Sequence, residues 1–178
     1  SFVRKYHLRK DARIMMKRVS VYNKSLNFSY VFLGIFFIFY EILSSVFSYL
    51  PLFYGFFFCY MFMLLEEREK TLLKLDFRWY FSLFFLLFAD ITHDFFPFSS
   101  WIAFFIFYYA LAGWIKTNLK MSSATPIVFV FCAYLFVAIL ELVFSYANNE
   151  KTILFSFSYF ISICFEALFA FVFFKGKI

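Results

Sequence analysis

Residues 126–146 read PIVFVFCAYLFVAILELVFSY, an apolar run interrupted by one charged residue, Glu141. A helix that crosses a membrane needs about 20 mostly apolar residues, because each adds about 1.5 Å and the hydrocarbon layer is about 30 Å thick. The run has that length and predicts a transmembrane helix. Five further apolar runs flank it: about Phe28 to Tyr49, Pro51 to Leu65, Trp79 to Thr92, Ser99 to Ile115, and Thr152 to Phe174. Those beginning at Pro51 and Trp79 are short, and each is expected to extend by a turn or more into its polar flank. The fold class is therefore all-α: a polytopic membrane protein with six transmembrane helices, residues 26–178, behind a basic segment, residues 1–25.

Composition excludes the soluble alternatives. The 178 residues are 65% hydrophobic, 29% aromatic and 16% charged, against about 45–50% apolar and 25% charged in an ordinary globular chain. Thirty-five phenylalanines are more than one water-exposed domain of this size can hide, since small domains have a high surface-to-volume ratio. Four glycines and three prolines exclude a Gly/Pro-rich disordered chain. Cys59, Cys132 and Cys164 all lie inside apolar runs with no paired spacing, and read as small buried hydrophobes.

The net charge of +6 points to membrane orientation and not to nucleic acid, because of where the charges lie. Cytoplasmic loops collect Lys and Arg. Eight basic residues precede the first run, four lie between the second and third, two follow the fourth and two follow the sixth. The opposite loops hold only Lys151. Both termini are expected in the cytoplasm. Residues 1–25 lack the apolar core and small-residue cleavage site of a signal peptide. Ala12, Met15, Val19 and Tyr22 have helical spacing there, which suits either a short interfacial helix on anionic lipid or a solvated tail. Between Glu66 and Arg78, four acids mix with four bases, and Glu66 and Lys70 have the i, i+4 spacing that supports a helix.

Inside the runs the charged residues are acids: Glu41, Asp90, Asp94, Glu141 and Glu166, with no Lys or Arg at comparable depth. A lone carboxylate in hydrocarbon is costly, so such a group takes a proton, finds donors or faces a wet cavity. Glu141 and Glu166 are expected to be neutral at pH 7. Adhesion between helices is favoured over a proton or cation relay, because Gly34, Gly55 and Gly113 are isolated and a broken-helix substrate site needs Gly/Pro interruptions.

Asp90, His93 and Asp94 have spacings that place them on one helix face, an acceptable metal-ligand geometry. A polar helix–turn–helix, with Pro97 ending one helix and Ser99 or Ser100 capping the next, is the favoured reading, and no metal or other cofactor is assigned. Catalytic signatures are absent: no Gly-x-Ser-x-Gly, no His-Glu-x-x-His, no phosphate loop, and no histidine near the serines to act as base.

From Phe84 to Asp90 an apolar helix ends in an acid. Ile-Thr-His-Asp-Phe-Phe-Pro97-Phe-Ser-Ser follows, then an apolar run ending Gly113-Trp-Ile-Lys116. This stretch, with the six-run layout, resembles the MreD family of rod-shape-determining proteins. In that family an apolar helix ends in Asp, a turn with Pro and Gly follows, and a second apolar helix has a basic exit. The resemblance places Asp90 on the family's helix-end Asp, Pro97 on its turn and Glu141 on an acidic position late in the fifth span. The family's glycines before the Asp and after the turn are Phe and Ser here. It implies a non-catalytic scaffold of the cell-elongation machinery, which inserts lateral peptidoglycan at the bacterial inner membrane. Its partners would be an MreC-like single-span protein and, through it, MreB, RodA and a class-B transpeptidase. Asp90, His93, Asp94, Pro97, Glu41, Glu141 and Glu166 would then serve partner contacts or bonds between helices. The competing class is a small proton- or cation-coupled transporter, or a membrane substrate-binding subunit. It predicts a polar cavity lined by Glu41, Glu141 and Glu166.

Overall fold

Apolar side chains on every face of the long runs favour helix, which pairs the backbone within each segment, and in the computed structural model every regular element among the described residues is a helix. These are residues 28–47, 50–71, 75–118, 124–149 and 157–175. The helices are α1 (Phe28–Val46), α2 (Tyr54–Thr71), α3 (Phe77–Thr92), α4 (Ser99–Phe107), α5 (Gly113–Asn118), α6 (Thr125–Asn148) and α7 (Phe157–Phe174). Tyr108–Ala112 take π-helical turns that join α4 to α5 as one rod, a local widening that the sequence pattern does not announce. The interfacial-helix reading of residues 1–25 lies outside the described residues.

The chain divides into two units, Ser1–Phe36 and Phe37–Ile178. In the first, the described residues form the opening turns of α1, with Val31, Phe32, Leu33 and Ile35 exposed. The second holds the last turns of α1 and all later helices. There α2 is central and packs against α3, α6 and α7, while α6 also packs against α4 and α7. As expected, α2 continues beyond its apolar run through Glu66–Lys70, where Lys70 reaches Glu66 at 3.4 Å. Asp76 caps α3 by accepting the Arg78 N–H at 3.2 Å and pairs with the Arg78 guanidinium at 2.6 Å. Glu67 adds a second ion pair to Arg78 at 3.1 Å, tying the end of α2 to the start of α3.

By length and composition, one described helix, Thr125–Asn148, suffices to cross a membrane. Tyr30–Val46, Ser99–Ile115 and Tyr159–Phe174 are apolar but shorter. The sequence runs extend further than these helices at several ends. For the last, the run from Thr152 enters residues outside those described, and α7 begins at Phe157.

Rings fill the interior. Phe62 and Phe107 each meet Phe129 edge-on, at centroid separations of 4.7 and 4.9 Å, and Phe57 stacks on Phe85 at 4.1 Å. Edge-on and offset pairs align the ring's positive rim with a negative face, adding about 0.5–1.5 kcal/mol each beyond burial alone. Two helices approach more closely than rings allow. A β-carbon built on Gly55 would lie 2.7 Å from Val130 Cγ1 and 2.8 Å from Val130 Cα, so α2 and α6 touch backbone to backbone at this level. Gly113 has nothing within 4 Å of the same construction.

This contrast gives a test. Gly55→Ala forces α2 and α6 apart and lowers the unfolding free energy by about 1–3 kcal/mol, the usual penalty of overpacking. Gly113→Ala does not destabilise. Thermal unfolding of the two purified variants beside the parent checks both.

Candidate functional site

The buried acids gather where α1 and α3 end and where α2 and α4 begin, and their partners follow from what those helix starts lack. A helix leaves its first backbone N–H groups without an internal acceptor, and Ser, Thr, Asp or Asn at the N-cap normally supplies one. Here phenylalanine precedes both starts. Phe98 is the N-cap of α4, with φ 72° and no capping side chain, and Phe53 before α2 has φ 59°. Left-handed backbone is strained for so bulky a residue.

Carboxylates from other helices stand in for the missing caps. Asp90, fully buried near the end of α3, accepts the Ser100 backbone N–H at 3.2 Å and the Ser100 hydroxyl at 2.8 Å. Its other oxygen accepts the Tyr54 hydroxyl at 3.1 Å, so one side chain joins α2, α3 and α4. Glu166, fully buried on α7, does the same for α2. It accepts the Phe56 N–H at 2.5 Å, and its second oxygen accepts the Tyr134 hydroxyl from α6. The positive end of each helix dipole faces a group able to carry negative charge. Glu141, partly exposed on α6, accepts the Phe96 N–H in the α3–α4 turn at 3.0 Å.

Glu41 is bound differently. Fully buried on α1, it meets the His93 Nε2 at 2.9 Å, and the same nitrogen lies 3.1 Å from the Ser44 hydroxyl. The Ser44 hydroxyl also reaches the Glu41 carbonyl, at 3.0 Å.

These contacts correct two expectations. Ser99 and Ser100 do not cap α4: both lie inside it, and Ser100 is a donor to Asp90. Asp90, His93 and Asp94 do not share a helix face. α3 stops at Thr92, His93 is its C-cap, and Asp94 turns to φ 58° and is exposed. The α-helical register that would align the three passes Asp90 but ends before His93 and Asp94, and no three His, Cys, Asp or Glu side chains converge among the described residues. Glu41, Glu141 and Glu166 each have their own hydrogen-bond partners. Pro97 is exposed in the turn, as its ring and missing N–H favour.

The donors Tyr54 and Tyr134 were not singled out in the sequence, and Ser100 was read there as a cap and not as a donor to Asp90. A signal for the tyrosines was present. In a chain with 35 Phe and 13 Tyr, a tyrosine deep in an apolar run carries a hydroxyl that burial penalises unless something accepts it. Tyr54 and Tyr134 also meet edge-on at 6.1 Å, so the Asp90 and Glu166 groups adjoin through rings.

Asp90→Ala leaves the buried Ser100 N–H and Tyr54 hydroxyl without an acceptor. It destabilises the protein by about 1–3 kcal/mol for each group, whereas Asp90→Asn, which keeps an acceptor oxygen, loses clearly less. A double-mutant cycle of Glu166→Gln with Tyr134→Phe gives a coupling of about 0.5–3 kcal/mol, read from chemical denaturation. Comparison with protein-family models, with curated proteins and with solved structures finds no match for the chain.

Proposed function

We propose that the chain is a non-catalytic scaffold of the bacterial inner membrane. Its six helical rods cross the bilayer with both termini in the cytoplasm, and it serves the machinery that inserts lateral peptidoglycan, as the resemblance to the MreD family implies. The observation that carries this reading is how the buried acids are engaged. Asp90, Glu141 and Glu166 accept from helix starts and turn backbone, and Asp90 and Glu166 also from tyrosine hydroxyls. Groups held this way fasten helices to one another; a transported ion would need them free to exchange partners.

Two further features support a bilayer setting. Large apolar side chains point outward, among them Phe39, Phe84, Leu135, Phe165 and Val172. A soluble monomer rarely exposes so much contiguous apolar surface. Helices of 16 to 19 residues run about 24–29 Å, close to the roughly 30 Å of hydrocarbon. In this setting dispersion and a few hydrogen bonds between helices replace the hydrophobic drive, which is the service the acids provide. The turn from His93 to Phe98, with Asp94, Pro97 and Phe98 exposed at its rim, is the surface offered to an MreC-like partner, through which MreB, RodA and a class-B transpeptidase would be reached.

Depleting the protein in its native rod-shaped host is expected to give spheres with unchanged solute uptake. Affinity purification of the chain is expected to recover a protein with one membrane anchor and an extracytoplasmic coiled coil. Asp94→Lys lowers that recovery severalfold without changing thermal stability. Normal shape with impaired uptake of a solute, or labelling that finds the two termini on opposite faces, rejects the proposal.

A further inference from the structure

Glu41 is held by a different kind of partner from the other fully buried acids. Asp90 and Glu166 accept at both oxygens, from backbone N–H groups and from serine or tyrosine hydroxyls. None of those donor types changes charge at or below neutral pH. Glu41 meets His93 Nε2 at 2.9 Å through one oxygen, and its Oε2 is buried with no hydrogen-bond partner. Imidazole is the side chain whose charge ordinarily changes between about pH 5 and 8. The contact that compensates this acid therefore depends on pH where the others do not.

Burial favours the state in which the couple holds one proton. With none, a carboxylate is buried with one oxygen bare, which is costly in the interior. With one, as carboxylate and imidazolium or as carboxyl and neutral imidazole, the net charge is zero. With two, an imidazolium faces a neutral carboxyl, and an uncompensated cation is better placed in water. His93 has a way out: it is the C-cap of α3, its side chain is 13% exposed, and the exposed Asp94 follows it. Glu41 is wholly buried and has none. The titratable groups around the couple are Tyr40 on α1, Tyr54 on α2, Asp90 and Asp94 flanking His93, Glu141 on α6 and Glu166 on α7. All are acids or phenols, and among the described residues no Lys or Arg pairs with Glu41.

We propose that Glu41 and His93 form an acid-opened latch between the end of α1 and the α3–α4 turn, closed while the couple holds one proton and opened by a second. That second proton comes from water, one per chain, and no covalent bond other than its own is made. The imidazolium then turns outward to solvent and the Asp94 carboxylate, leaving a neutral Glu41 behind. The ring contacts of Phe37 with Phe53, Phe57 and Phe85, and the Tyr40 hydroxyl on the Pro51 carbonyl, do not change charge in this range. They keep α1 attached, so the opening is confined to its end. The latch is independent of the scaffold reading, since a transporter would carry it equally well.

The test uses the full chain in detergent, with Cys59, Cys132 and Cys164 replaced by alanine and nitroxide labels on Val46→Cys and Ile91→Cys, both exposed near the helix ends. Dipolar electron paramagnetic resonance reads the label separation from about pH 8 to about pH 4, the interval in which isolated imidazole and carboxyl groups change charge. The separation is expected to hold steady down to neutral pH and to lengthen reversibly by about 2–5 Å in acid. His93→Gln, whose amide still donates to Glu41, keeps it constant throughout. Glu41→Gln removes the counter-charge and moves the opening to higher pH. His7→Ala, the control for the chain's other histidine, opens as the parent does. Circular dichroism at each pH confirms that each variant is folded. An unchanged separation in the folded parent overturns the proposal. So does opening retained in folded His93→Gln, which assigns the titration to another acid, or opening of Glu41→Gln only at lower pH.

Discussion

A helix that begins inside an apolar interior must find acceptors for its first N–H groups within the protein, and this requirement organises one end of the molecule. Two helices, α2 and α4, start after phenylalanines that offer no oxygen, in strained left-handed backbone. Remote carboxylates meet the need: Glu166 from α7 and Asp90 from α3. Each also accepts a side-chain hydroxyl from a further element, Tyr134 on α6 or Tyr54 on α2. Capping, which is usually a local matter of three or four residues, here becomes the means by which distant helices are bound together. On the proposed membrane reading, such bonds take a large share of the work because water contributes little to helix association there.

Helix positions were largely legible in the sequence, because apolar runs bounded by charge leave little choice of where a helix lies. The continuation of α2 through Glu66–Lys70 was legible from the i, i+4 spacing of opposite charges. The absence of Lys or Arg within the apolar runs led to the expectation that the acids bond between helices, and Asp90 and Glu166 do accept from other helices. Their individual partners were not legible. Glu166 and the Phe56 N–H are 110 residues apart, and nothing in a one-dimensional pattern encodes which helix start a carboxyl will reach.

The errors at the α3–α4 corner have one cause. Serines following a proline are a good local signal for a cap, and acids at spacings of three and four are a good local signal for a shared face. Both rules assume that helical geometry continues to the residue in question. It stops at Thr92 and resumes at Ser99, so His93 and Asp94 fall on a turn and Ser100 falls one step too far inside. The π-helical turns at Tyr108–Ala112 were invisible for a related reason: they differ from α-helix by one residue per turn, and uniformly apolar side chains carry no phase to reveal the slip.

Dependence of α2 on Glu166 has a bearing on how the protein is made. A ribosome delivers the second helix long before it delivers the seventh, and until then the amide hydrogen of Phe56 lacks the carboxylate that finally receives it. The nascent chain must carry that deficit until α7 has been made. That helix is thus less an addition at the edge than the keystone whose arrival closes the arch.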